Sequence, residues 1–309
     1  MPILDTAQSF LKAWDLEKSR IIRPARLVFL CGGVLNDRDA PPSSARDALL
    51  RRIGPGQLGG ANVVLAETAN NKLPESSFSN LLDLEEHIGA IVDSVILFVE
   101  SPGSICELGA FCKIPEISSR LKTFVMNDHA IRSSFVRNGP LKYLRRADGH
   151  DNFSTFDWRI VDGKVEIEDF VLEEIFSESE DAAKSRPITE SFDHGSSGHV
   201  TYTILAITFA LRGGLLSEIK ESARTIWPYI TETQVRRSLD VLQIVELVEP
   251  VTNGKKTYYV PKIERLNLDV TISESAAIRE PMRYLSDILT AIKDEDKNRL
   301  KIFGAHNGD

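Results

Sequence analysis

The residues best placed for chemistry lie in one run, Glu100-Ser-Pro-Gly-Ser-Ile-Cys-Glu-Leu-Gly-Ala-Phe111, directly after the apolar stretch Ser94-Val-Ile-Leu-Phe-Val99. Ser101-Pro102-Gly103 turns the chain where a strand would end, Ser104 can cap the helix that follows, and Glu107 comes three residues later. Ligands of open α/β sheets bind at that carboxyl edge. Glu107 is therefore a candidate catalytic carboxylate, with Ser101, Pro102, Gly103 and Ser104 as candidate pocket residues. The same Ser-x-x-Glu spacing is a capping box, in which Glu107 would bond the Ser104 N–H and add about 1 kcal/mol to the helix. Cys31-Gly32-Gly33 follows an earlier apolar run in the same way. It is either a loop whose N–H groups face phosphate or a tight strand-to-helix turn. The fingerprint G-x-G-x-x-G is absent, so a bound redox dinucleotide is not expected.

These groups need a sheet to deliver them. Leu27–Leu30, Asn62–Ala66, Ser94–Val99 and Lys122–Met126 are apolar on both faces and separated by stretches long enough for crossover helices. That pattern predicts an α/β fold with a doubly wound parallel sheet, covered on both sides. Leu81, Leu84, Ile88 and Val92 fall on one helical stripe. Glu67, which closes the second predicted strand at the ligand edge, is a candidate pocket residue, as are Glu85 and Asp93; each of the three also fits a helix-face or cap role. Asn138-Gly139-Pro140 reads equally as a lid or a plain turn.

The polar run SESEDAAKSRPITESFDHGSSG reads as a linker. Beyond it come helical patterns at Val200–Leu211, Leu215–Ala223 and Val235–Gln243, the strand-like run Ile244–Val248, an Asn253-Gly254 turn and the run Lys255–Val260. Three helices and a hairpin predict a winged helix-turn-helix domain. The resulting division is an α/β domain over 1–178, a linker over 179–197, the winged helix over 198–265 and a helical tail over 266–309. The 309-residue chain carries a net charge of −8, which argues against a nucleic-acid coat over its whole surface. Residues 196–265 hold nine Lys/Arg against seven Asp/Glu, so the sign reverses there. Arg236, Arg237, Lys255, Lys256 and Tyr258 are the candidate nucleic-acid contacts, through phosphate pairing and aromatic stacking. A solvated basic face on a protein-binding winged helix fits the same residues.

The three cysteines, Cys31, Cys106 and Cys112, fit neither a disulfide framework nor a zinc knuckle and are expected to be buried thiols. No metal site is expected from the scattered histidines. With no apolar run near the ~20 residues a bilayer requires and no signal-peptide pattern, the expectation is a cytoplasmic protein without a membrane partner.

The segments LVFLCGG, LLDLEEHIGAIVDSVILFVESPGSICELGAF and SFVRNGPLKYLRR resemble the effector toxins of type II retrons, whose N-terminal domain is similar to nucleoside deoxyribosyltransferases. The resemblance covers roughly residues 25–146, and the second half only in architecture. It implies that Glu107 attacks the anomeric carbon of a sugar, making the chain an N-glycosidase. The deoxyribosyltransferase motif has an aspartate six positions before that glutamate, which assists the leaving base; here the residue is Ser101. Without that help a neutral purine leaves poorly, since general acid assistance contributes ~10²–10⁴-fold. Nicotinamide departs from NAD as a neutral molecule, so the expected substrate is NAD or a related nucleotide, with no further cofactor. The implied partners are the retron reverse transcriptase and its multicopy single-stranded DNA, which would hold the toxin inactive in antiphage defence. Oligomeric state stays open. Two other readings fit the residues: a nucleotide-sensing winged-helix transcriptional regulator, and a deoxyribosyltransferase of nucleotide salvage.

Overall fold

The computed structural model describes residues 2–55, 57–127, 133–145, 152–273 and 281–307. The chain forms two compact units, one of Ala25–Asn71 and Asn80–Pro187, the other of Met1–Pro24, Lys72–Ser79 and Ile188–Asp309. It opens with helix α1 (Ile3–Leu11) and strand β1 (Trp14–Ile22), both in the second of these units.

The α/β unit runs β2 (Arg26–Cys31), α2 (Ala45–Ile53), β3 (Ala61–Leu65), α3 (Ala66–Lys72), α4 (Leu81–Ile91), β4 (Ser94–Val99), α5 (Pro102–Phe111), α6 (Pro115–Ser118) and β5 (Leu121–Met126). A π-helical turn at Arg137–Leu141 leads into α7 (Lys142–Leu144), then β6 (Phe153–Phe156), the ribbon β7 (Trp158–Val161) with β8 (Lys164–Ile167), and α8 (Asp169–Lys184). Five strands pair in the order β3-β2-β4-β5-β6, all parallel. β4 is buried along its whole length, as expected of a central strand covered on both faces. Val28, Leu30, Ile96, Phe98 and Phe124 form one core with Ala45 and Leu49 of α2 and Val171, Ile175 and Ala183 of α8. The alternate residues Leu27, Phe29, Val95 and Leu97 are equally buried on the other face, where α4 and α5 pack. Because the chain leaves β2 to one side for β3 and returns on the other for β4, the sheet's switch point lies between the carboxyl ends of β2 and β4.

The second unit continues through β9 (Thr189–Ser191), α9 (Ser197–Ala210), β10 (Gly214–Leu215), α10 (Leu216–Arg224), α11 (Glu232–Ile244), β11 (Val248–Asn253), β12 (Lys256–Pro261), β13 (Leu268–Ile272), α12 (Pro281–Glu295) and α13 (Lys297–Asn307). Helix α9 is apolar around its circumference and almost wholly buried, so it forms the axis of this core. Three helices, α9 to α11, accompany a sheet of order β10-β12-β11. Between β11 and β12 the ladder closes at Asn253 and Lys256, leaving Gly254 (φ 63°) and Lys255 as the turn. A second sheet, β13-β1-β9, is antiparallel.

Several expected boundaries move. Residues 179–184 are helical because Ile175, Ser179 and Ala183, spaced four apart, form the buried side of α8; its inward residues are small or polar, which hid the helix. Thr189–Ser191 is a strand paired to β1. The first 24 residues lie outside the α/β unit because β1 is the middle strand of a sheet whose partners come some 170 and 250 positions later, as in Arg20 with Ser191 and with Asp269. Ile244 ends α11, and the strand expected from there begins at Val248 after a turn at Glu246 (φ 60°). The expected helical tail starts with β13, and part of it, 274–280 and 308–309, lies outside the described residues.

Candidate active site

Four carboxylates and one guanidinium converge on the switch point. Glu100, directly after β4, is nearly buried and spans the gap to the β2 loop: Oε1 accepts from Gly33 N–H (3.1 Å) and Arg46 N–H (3.2 Å), and Oε2 from Ala45 N–H (2.8 Å). Those of Ala45 and Arg46 are the first free N–H groups of α2, whose N-cap Ser44 accepts from Asp47 N–H. Burial pushes the Glu100 carboxyl up, and the three backbone bonds oppose that shift. The place where a phosphate was expected is therefore filled from within the protein. The two glycines serve this packing: a Cβ on Gly33 would stand 2.8 Å from Glu100 Oε1, and one on Gly32 (φ 146°) 2.8 Å from the Phe98 Cβ. Cys31 is fully buried behind them, and its thiol is pushed up by burial and by the charges of Glu107 and Glu85.

Helix α5 starts one turn earlier than the sequence suggested. Ser101 is the N-cap and Pro102 occupies the first helical position, where its missing N–H costs nothing. Ser101 Oγ accepts from Ser104 N–H (3.1 Å), and Ser104 Oγ accepts from Ser101 N–H (2.9 Å) and Glu100 N–H (3.0 Å). The capping box is thus Ser101 with Ser104, and Glu107 has no part in it. Glu107 sits half-buried one turn along α5, and helical side chains lean toward the helix start. Its Oε2 is buried without a hydrogen-bond partner. Burial raises its pKa above the ordinary 4.5, Arg46 pulls it down and Glu67 pushes it up.

Arg46 and Glu67 form the second part of the cluster. Arg46, buried on α2, donates from both terminal nitrogens to the Glu67 carboxylate and from Nη1 to Leu30 C=O (3.3 Å). Glu67, on the first turn of α3 after β3, keeps 45% of its side chain exposed. Sequence reasoning missed Arg46, which sits in an ordinary amphipathic pattern.

Glu85 was also under-read. It lies on α4, 2% exposed, with Oε1 buried and unpartnered. Burial first, and then the Glu107 charge, push its pKa up to about 8. Glu85 is therefore held in its protonated form up to about neutral pH. Asp93 stands at the opposite edge of the sheet, accepting from Leu27 N–H (2.8 Å), and serves the strand start.

In the second unit, Arg236, Lys255 and Lys256 are exposed. Arg236 pairs with Glu232 one turn back (2.9 Å), and Lys256 approaches Asp296 (3.7 Å). Arg237 is half-buried with its guanidinium over the Phe78 ring. Tyr258 is a correction: it is 2% exposed and donates to Asp296 Oδ2 (2.9 Å), so it packs inside the unit and offers no ring for stacking. The alternation of β12 puts Tyr258 and Val260 inward and Thr257 outward. Cys106 is likewise exposed, where a buried thiol was expected. Among the described residues, no helix is long and apolar enough to cross a membrane.

A parallel α/β sheet with a cluster of carboxylates at its switch point thus shares one chain with a helix-and-hairpin unit. The STM3845 retron effector protein family matches residues 42–250, and the chain belongs to that family. It is 32% identical over 137 residues to the Escherichia coli retron Ec73 protein, whose name pairs ribosyltransferase with DNA-binding; this covers 42% of each chain. It is 42% identical over 69 residues, 22% of each chain, to the similarly named protein of Escherichia coli retron Ec86. The match thus spans well under half the length of these curated relatives.

Proposed function

We propose that this retron effector acts in antiphage defence by hydrolysing the N-glycosidic bond of NAD or a related nucleotide, with Glu107 as the nucleophile. The observation that carries the reading is the state of the Glu107 carboxylate: excluded from the helix cap, with one oxygen buried and unpartnered, at the switch point of the sheet. A carboxylate so held stabilises an oxocarbenium-like centre or forms an ester with C1′ as the C1′–N bond breaks. The bonding electrons leave with the nicotinamide nitrogen, neutralising its positive charge, so no proton is required for departure. Water then opens the ester, releasing ADP-ribose and a proton. Arg46 favours the ionised form of Glu107, and neutral Glu85 avoids a second negative charge beside it. The relatives' ribosyltransferase names support glycosyl chemistry of this type.

The second unit is read as a winged helix that docks on the retron reverse transcriptase and its multicopy single-stranded DNA, with Arg236, Lys255 and Lys256 as exposed contacts. Its arrangement of three helices and a hairpin, and the relatives' DNA-binding names, support this. Co-purification tests it: wild type brings down the reverse transcriptase and DNA, and Lys255→Glu with Lys256→Glu loses both. Retention of both by the double variant contradicts the assignment. For the catalytic unit, Glu107→Gln is expected to lower nicotinamide release by roughly 10³-fold or more with folding intact.

A further inference from the structure

A glycosidic substrate brings a sugar to Glu107, and the neighbouring Arg46–Glu67 pair has the chemistry to read its hydroxyls. Arg46 is 1% exposed, yet the carboxylate it holds keeps 45% of its side chain in solvent, so the pair reaches from the core to the rim of the site. Nη1 and Nη2 each take one Glu67 oxygen, and Nη1 also donates to Leu30 C=O near the end of β2 (3.3 Å). This two-point fork fixes the plane of the carboxylate, which a single ammonium would not do. A carboxylate offers about four lone-pair sites. Arg46 fills one on each oxygen, which leaves one on each for donors arriving from the solvent side.

The placement of Glu67 suits a sugar. It follows β3, Glu107 lies on the helix that follows β4, and β2 runs between those two strands. Two strand spacings come to roughly 10 Å, a gap that a pentose contacted from both sides fills. The charges of Arg46 and Glu67 both act on Glu107, so the three share one electrostatic neighbourhood. Within it Glu107 Oε2, Glu85 Oε1 and Arg46 Nε are buried without partners. Glu85 and Arg46 are 2% and 1% exposed, so the interior here carries unmet hydrogen-bonding demand, of a kind that a polyhydroxylated ligand answers. An acid after the strand beside the first glycine-bearing strand is where dinucleotide-binding sheets accept from a ribose hydroxyl. Glu67 holds that place without the glycine fingerprint. The two oxygens of a fixed carboxylate match the two hydroxyls of a ribose 2′,3′-diol, of which 2′-deoxyribose supplies one.

Resting on the glycosidase reading, we propose that Glu67, positioned by Arg46, accepts from the 2′- and 3′-hydroxyls of the substrate sugar and so selects ribosyl over 2′-deoxyribosyl compounds. Calorimetric titration of the full chain carrying Glu107→Gln tests this, with NAD and with NAD lacking the 2′-hydroxyl of its nicotinamide ribose as the two probes. NAD should bind roughly tenfold or more tighter than its deoxy counterpart. Glu67→Gln, added to that background, should bring the two affinities together by weakening NAD alone. Glu67→Asp keeps a charge for Arg46 but withdraws the carboxylate by one methylene, and should have the same effect at unchanged melting temperature, which separates lost recognition from lost folding. Equal affinities in Glu107→Gln, a preference that survives both Glu67 variants, or no binding of NAD overturns the proposal. Nicotinamide release by the protein with Glu107 intact is measured alongside. Release without a Glu67-dependent ribose preference leaves the hydrolase reading standing and removes the diol site; the preference without release leaves the diol site and removes the hydrolase reading.

Discussion

Two glutamates of the cluster make opposite demands on pH. Glu85, with its pKa at about 8 against an ordinary 4.5, is favoured in its protonated form by the folded state. The unfolded chain releases that proton first, so this group's stabilisation is complete below about pH 4.5 and is lost as pH rises toward 8, at up to about 1.4 kcal/mol per pH unit. Glu85→Gln should therefore gain stability over wild type at pH 8 and little at pH 4.5 in parallel urea unfolding; an equal difference at both pH values refutes the burial account. The proposed attack by Glu107 requires an ionised carboxyl, and its pKa is raised. The acid limb of kcat/KM should consequently lie above pH 4.5, and a limb at or below that value contradicts the environment described. The motif drew attention to Glu107, but which serine capped the helix was not legible, because Ser101 and Ser104 are both good N-cap residues and only backbone dihedrals separate them. Arg46 escaped notice and Glu85 fitted a surface role equally well, because the place of both comes from burial beside groups far off in sequence.

Among the elements, Glu100 ties three together: the end of β4, the β2 loop and the start of α2. Glu100→Gln puts an amide N–H₂ where an oxygen now accepts from buried donors. A loss of ~1–3 kcal/mol in the unfolding of the α/β unit is expected. Unchanged stability in denaturant titration would show that this bridge matters little. The parallel strands were readable because double-sided burial leaves unbroken apolar runs. Helix α8 was harder, since Ser179 and Ala183 face the core where larger apolar residues usually mark the face. The hairpin was signalled by Asn253-Gly254, yet the turn uses Gly254 and Lys255, while the inward face of Tyr258 is set by packing inside the unit that the turn does not mark.

For the whole molecule, chain order and domain order differ. β1 is hydrogen-bonded on both sides within the second unit, so deleting residues 1–24 should unfold that unit and leave the α/β unit intact. Limited proteolysis checks this; protection retained over 188–272 would contradict it. No local pattern could have revealed that arrangement, because a half-buried strand carries no mark of which distant strands it joins. The account as a whole rests on one carboxylate cleaving a sugar–nitrogen bond, so the most direct measurement is nicotinamide released from NAD by the purified effector, taken free of its retron partners, beside its Glu107→Gln variant. The account predicts release by wild type and a loss of roughly 10³-fold or more in the variant; equal release by both, or none by an active wild-type effector that still kills its host, would contradict it.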